Sequence, residues 1–174
     1  MRALTRDDAE TLRQFVNDPD VMQFSNNYAP IHEEQQQRWL QHALESGNAT
    51  WFGLCDRSAE SAPLVGTCCL VDLDPIARSA ELRIRIGRKE AWGRKLGGEA
   101  CALLLRYGFE ERNLERIWLR VFANNPRAIR MYESLGMVHE GTWRRAAFIG
   151  GAWLDIQLMA LLRSEWRGLT EAVR

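Results

Sequence analysis

The chain has 174 residues, with 23 acidic against 23 basic side chains and a formal net charge of zero. That balance argues against nucleic acid as the main partner, and the length suits a single domain over residues 1–174 that buries roughly 70% of its unfolded surface. No N-terminal apolar run reaches the ~7 to 15 residues of a signal peptide and no segment the ~18 of a membrane span, so a cytoplasmic protein without membrane contact is expected.

Arg2-Ala3-Leu4 reads as a very short strand. Thr5, with Asp8 three residues on, is a cap signal for a helix carrying Ala9, Leu12, Phe15 and Val16, which Asn17-Asp18-Pro19 ends. The stretch Asp20 to Pro30 is expected to be irregular. A second helix starts near Ile31, with Trp39, Leu40, Ala43 and Leu44 as its apolar side, and Ser46-Gly47-Asn48 stops it. His32 and His42 read as surface residues of that helix. Trp51 to Cys55 and Leu64 to Leu73 are strands separated by a polar turn from Asp56 to Pro63. Cys55, Cys68, Cys69 and Cys101 lack CxxC spacing and clustered histidines, so neither disulfides nor a metal site is indicated.

Residues 80 to 112 form the central unit of the chain. In Glu81-Leu82-Arg83-Ile84-Arg85-Ile86 apolar residues alternate with charged ones, which predicts a strand with one greasy face and one carrying Glu81, Arg83 and Arg85. After the loop Gly87 to Lys95, Leu96, Ala100, Leu103, Leu104 and Tyr107 recur at helical spacing, and Cys101, Leu105 and Phe109 add a second stripe. A helix that begins straight after a strand turns its first main-chain N–H groups and the positive end of its dipole towards the sheet's end, where a phosphate fits. Glycines at 93, 97 and 98 allow close approach, and six of the 23 basic residues (Arg83, Arg85, Arg88, Lys89, Arg94 and Lys95) lie within thirteen positions. The same spelling also suits a solvated basic loop before an ordinary core helix. It matches neither a Walker loop nor the dinucleotide fingerprint.

Ile117, Leu119 and Val121 alternate with Trp118, Arg120 and Phe122 in a further strand. Asn125 suits the N-cap and Pro126 the first position of a helix that Gly136 stops. Val138 to Leu162 is a long hairpin turning at Gly150-Gly151. The order of strand, two helices, three strands, helix, strand, helix and hairpin describes one mixed α/β (α+β) domain.

The runs Ala80 to Ile84, Trp92-Gly93-Arg94-Lys95-Leu96-Gly97-Gly98-Glu99-Ala100 and Asn125-Pro126-Arg127-Ala128-Ile129-Arg130-Met131-Tyr132, ending at Gly136, resemble the GNAT superfamily of acyl-CoA-dependent N-acyltransferases. The Asn-x-x-Ala-Ile-x-x-Tyr-x-x-x-Gly pattern and the closing Asp155, Met159, Leu161 and Leu162 resemble the branch with ribosomal-protein N-terminal and polyamine or amino-sugar acetyltransferases. The resemblance implies a largely antiparallel, twisted sheet flanked by helices, and acetyl-CoA as cosubstrate in direct transfer to a primary amine. One departure lies in the phosphate loop: Trp92 stands where Gln or Arg is usual, and Lys95 where a small residue is expected. If Lys95 needs positive φ, it costs about 1 to 2 kcal/mol. In the helical region it costs nothing, and its ammonium can serve as a point charge for the pyrophosphate.

Residue by residue, the resemblance implies cofactor contacts at Trp92, Gly93, Arg94, Lys95, Leu96, Gly97, Gly98, Asn125 and Arg130, with carbonyl polarisation by main-chain N–H groups near Ile86 and Arg88. Tyr132 matches the tyrosine that assists thiolate departure, although its spacing with Ala128, Ile129 and Leu135 equally suits core packing. Glu81 is a base or water-holding carboxylate, or the ion-pair partner of Arg83 or Arg85. Two arginines beside the acceptor would repel a polyamine and could bind an anionic group on the substrate, unless they pair with Glu81 or reach the CoA phosphates. The acceptor is then a small molecule such as an amino sugar or amino acid derivative, or alternatively a protein N-terminus. A silent acyl-CoA sensor and an adaptor that only keeps the fold are the other classes. Monomer and homodimer both remain open.

Overall fold

The computed structural model describes residues 1–25 and 29–168. Asp8 accepts a hydrogen bond from the Thr5 main-chain N–H at 2.8 Å, and helix α1 then runs over Ala9–Asn17. The chain is still extended at Thr5, with φ of −123° and ψ of 165°, and turns helical from Arg6, but the strand expected at residues 2–4 does not form a ladder. A single bridge remains, in which Arg2 and Gly53 exchange main-chain hydrogen bonds of 3.0 and 2.8 Å.

Asp18-Pro19 stops α1 and also starts a helical turn, α2, over Pro19–Met22. The Asp18 carboxylate accepts from the Asp20 N–H at 2.9 Å, and Pro19 takes the first helical position, where its missing N–H is not needed. This corrects the irregular stretch expected from Asp20; residues 26–28 of that stretch lie outside the described residues. Helix α3 spans Glu33–Glu45.

The strands are β1 (Ala49–Cys55), β2 (Leu64–Asp74), β3 (Ser79–Ile86), β4 (Arg116–Phe122), β5 (Val138–Ile149) and β6 (Ala152–Leu162), in one sheet of order β1-β2-β3-β4-β6-β5. Every neighbouring pair is antiparallel except β3 and β4, which the crossover helix α4 (Leu96–Arg106) joins. Helix α5 spans Pro126–Ser134. Gly150 and Gly151 turn the β5–β6 hairpin with φ of 59° and 83°, a combination that side chains with a Cβ rarely adopt. The main core lies between α4 and the sheet: Leu104, Leu105 and Phe109 pack among Leu70, Leu82, Ile117, Leu119 and Met159, all at most 2% exposed. Leu12, Phe15 and Leu40 form a second cluster with Leu4 and Leu64, which brings α1 and α3 over the opposite face at the β1–β2 end. The four cysteines are free thiols. Among the described residues, no helix is long and apolar enough to cross a membrane.

Candidate active site

The parallel pairing of β3 with β4 covers only Ser79–Arg116, Ala80–Ile117 and Glu81–Trp118, after which the strands part. Each still follows its other neighbour, β3 pairing with β2 as far as Ile86 and β4 with β6 as far as Phe122. Antiparallel pairs alternate in the direction of their main-chain groups. Gly87 donates to the Val65 carbonyl and Ala123 to that of Asp155, so the alternation turns Ile84 and Ile86 on one strand, and Arg120 and Phe122 on the other, into the fork. A cleft of about 1370 Å³ opens from this fork, lined on one side by the start of α4 and on another by α1, α2 and α3.

At the start of α4 the first main-chain donor with an acceptor is Glu99, bonded to the Lys95 carbonyl at 3.1 Å. Among the described residues, the six N–H groups from Gly93 to Gly98 have no hydrogen-bond acceptor. Six consecutive free donors at a helix N-terminus, with Lys95 beside them, make a site for a diphosphate, so the residues fit the CoA pyrophosphate. Trp92 fills the departure from the family pattern in its own way. Its indole N–H donates to the Ile86 carbonyl at 2.9 Å, pinning the loop to the end of β3. Gly97 and Gly98 lie against Met131 of α5, where an added Cβ would meet its side chain at 3.7 and 3.6 Å, an ordinary van der Waals contact, so the approach of the two helices does not itself require glycine.

Lys95 itself has φ of 63° and ψ of 0°, the left-handed conformation that penalises a Cβ. Lys95→Gly is expected to raise Tm by ~1 to 4 °C in a thermal melt. Relief of about 1 to 2 kcal/mol of backbone strain outweighs the added entropy of an unfolded glycine. The same variant weakens CoA binding by on the order of 0.5 to 1 kcal/mol, the worth of one exposed charge. A fall in Tm would mean that the lysine side chain stabilises the fold more than its backbone strains it.

Tyr132 sits on α5 with 7% exposure, packed in the main core and lining the cleft. Core packing and a place in the cleft wall therefore coincide. Burial pushes its pKa well above the ordinary 10, so the hydroxyl carries its proton at neutral pH, and no described residue takes that proton in a hydrogen bond. Asn125 caps α5, its side chain accepting from the Ala128 N–H at 3.2 Å, and also lines the cleft.

The charged face of β3 is not the open polar surface its alternation suggests. Glu81 is 2% exposed, because Arg83 donates to it from Nε at 2.8 Å and from Nη2, and Arg120 reaches it from Nε at 2.8 Å and Nη2 at 3.0 Å. Burial raises the Glu81 pKa, but the bonds from Arg120 and Arg83 outweigh it and leave the pKa below the usual carboxylate range. A carboxylate held by two guanidiniums is a poor proton acceptor, which argues against the base role expected for Glu81. Arg83 also approaches Asp72 at 3.4 Å. Arg85 differs: it is half-buried, lines the cleft and has no ion-pair partner among the described residues, and desolvation lowers its pKa.

Other expected contacts fall elsewhere. The Arg88 N–H is already bonded to the Val65 carbonyl at 3.1 Å, so of the two expected polarising donors only that of Ile86 faces the fork. The Arg94 side chain holds Asp56 at 2.6 Å and Ser58 at 2.7 Å, tying the loop to the β1–β2 turn, and does not line the cleft. Arg130 is exposed on α5 and does not line it either. Sequence reasoning missed Arg120, Arg127 and Asn124, which do, and Gln36 of α3, 3% exposed, whose amide nitrogen has no partner among the described residues. Among the described residues, no group of His, Cys, Asp and Glu side chains could hold a metal ion.

Residues 1–138 match the family model of the acetyltransferase (GNAT) domain. The uncharacterized N-acetyltransferase p20 of Bacillus licheniformis is 29% identical over 97% of this chain and 94% of its own. The spermidine N(1)-acetyltransferase of Vibrio cholerae is 29% identical over 98% and 96%. The crystal structure of spermidine N-acetyltransferase from Vibrio cholerae in complex with CoA and spermine superposes with a TM-score of 0.87, at 27% identity over 94% of this chain and 95% of that one. With the forked sheet, the donor-rich start of α4 and the family match over most of its length, the chain belongs to the GNAT acetyltransferase family and is an acyl-CoA-dependent N-acetyltransferase.

Proposed function

We propose that the enzyme acetylates the primary amine of a small molecule that also bears an anionic group, such as an amino sugar or amino acid derivative, by direct transfer in a ternary complex. Arg85 carries this reading. On the sheet face with Arg85 lie its cross-strand partner Thr67, then Cys69, the partner of Arg83, and Trp51 opposite Cys69. Trp51 touches Trp39 of α3 at a ring separation of 4.9 Å, so α3 roofs this face, with Gln36 one turn away. The acceptor half of the cleft thus has a guanidinium and an amide, both unpartnered among the described residues, and its one described carboxylate, Glu81, is taken by two arginines. A polycation would meet positive charge there. A carboxylate or phosphate would meet donors.

Acetyl-CoA supplies an activated acetyl thioester. The α4 cradle and fork hold it, Tyr132 donates towards the departing sulfur, and the amine's proton leaves through water in the open cleft, because Glu81 is taken by two arginines and the other lining carboxylate, Glu99, lies on α4 in the cosubstrate half. Turnover of acetyl-CoA, followed as free thiol, should be fastest with anionic amino sugars or amino acids. The similarity to spermidine acetyltransferases favours polyamines instead, so spermidine as the best acceptor would overturn the reading; peptide N-termini belong in the same panel. Arg85→Gln is expected to raise the acceptor KM ~10- to 100-fold, as for loss of a charge-assisted hydrogen bond, and to leave the acetyl-CoA KM unchanged. A rise in the acetyl-CoA KM alone would assign Arg85 to the cosubstrate.

A further inference from the structure

The Arg83–Glu81–Arg120 cluster lies at the crotch of the fork. Glu81 and Trp118 are the last paired residues of β3 and β4, and Arg120 is the next residue of β4 whose main chain faces the fork. From there its guanidinium reaches back across the fork to both oxygens of Glu81, at 2.8 and 3.0 Å, while Arg83 holds the same carboxylate from β3 itself. Side-chain bonds therefore take over where main-chain bonds stop. The carboxylate is 3% exposed and all three residues line the cleft. The Arg120 guanidinium is braced in turn by the rings of Trp118 and Trp143, 5.8 and 5.9 Å from their centroids.

We infer that Glu81 and Arg120 are positioning residues that set the opening of the β3–β4 fork, and with it the placement of the bound thioester against Tyr132. A planar, bidentate guanidinium on a carboxylate fixes both distance and orientation, which a lone charge pair would not. The main-chain groups of Ile84, Ile86, Arg120 and Phe122 then face each other at a fixed spacing. The inference rests on the fork as the thioester site and is independent of which acceptor is used.

Hydrogen–deuterium exchange of the unliganded enzyme tests it without any acceptor. In Glu81→Gln, which keeps the shape but removes the charge, the strand-bonded amides beside the fork, those of Leu82, Arg83, Arg85, Leu119 and Val121, should exchange about tenfold faster while those of α4 stay as in wild type. CoA affinity by calorimetry should fall. With the best acceptor found, kcat should fall by about 10²-fold, the effect of misplacing reacting groups by about 1 Å. The pH dependence of the residual activity should keep the wild-type shape. If the Gln variant does not fold, Arg120→Lys keeps the charge, loses the bidentate geometry and should give the same local loosening. Faster exchange throughout the protein with normal kcat per folded molecule would make the cluster merely structural. Loss of a titrating limb in Glu81→Gln would make Glu81 the base. Unchanged exchange and unchanged kinetics would overturn the inference outright.

Discussion

Tyr132→Phe should lower kcat by ~10²-fold or more at neutral pH while the KM for acetyl-CoA stays similar, as read from free thiol release under saturating acceptor. The hydroxyl is the only group removed. It has no hydrogen-bond partner among the described residues, so the fold loses nothing that the oxygen was making, and the ring keeps its place in the core. A thiol ionises near 8.5 and a tyrosine near 10, so full proton transfer from one to the other runs uphill by about 1.5 units, on the order of 2 kcal/mol. Burial pushes the Tyr132 pKa higher still and makes the transfer less favourable. In the proposed mechanism Tyr132 is therefore a hydrogen-bond donor to the sulfur as the bond to carbon breaks, in a cleft wall where that bond is worth more than in water. This also sets a pH signature. The donor stays protonated through pH 10, so no loss of kcat on the alkaline side below that value comes from Tyr132. Full activity of the Phe variant would leave this residue as core packing alone.

The elements that carry the site were legible wherever a local rule decides them. Alternation marks β3, two apolar stripes mark α4, and Asn125-Pro126 opens α5 with the cap its spelling suggests. What stayed hidden depends on partners far away in sequence. Arg120 reaches Glu81 across 39 residues, and nothing in Ile117 to Phe122 marks one polar residue of an ordinary strand as half of a clamp. The excess of basic residues between 83 and 95 is likewise less free than its spelling suggests. Arg83 goes to Glu81, Lys89 to Asp18 and Asp20, and Arg94 to Asp56, which leaves Arg85 and Lys95 as cations lining the cleft without an ion-pair partner among the described residues. The fork is invisible for a different reason. It arises where two strand pairings continue and a third ends, and register across three strands is set by packing on both faces rather than by any one segment. Lys95 was open between two conformations because a single residue at a helix start fits either. The loop adopts the strained one.

Gly97→Pro tests the α4 cradle at its centre. Gly97 is the second residue of the helix, where proline is tolerated because no main-chain acceptor lies behind it, and a Cβ there meets Met131 and Ile86 only at 3.7 and 3.8 Å. The variant should fold and melt near the wild-type temperature. It removes one of the free donors at the start of α4, the proposed diphosphate site, and places a ring among the rest. Loss of a hydrogen bond to a charged group is worth about 1.5 to 3 kcal/mol, so CoA affinity by calorimetry should fall by ~10- to 100-fold, and further where the ring displaces neighbouring N–H groups from the phosphate. Gly97→Ala is the matching control. Its Cβ lands on Met131 and its N–H remains, so affinity should stay within about threefold of wild type, given ordinary van der Waals contact. Equal losses in both variants would assign the effect to the α4–α5 contact at Met131, and a folded proline variant that binds CoA normally would remove the cradle from the binding site.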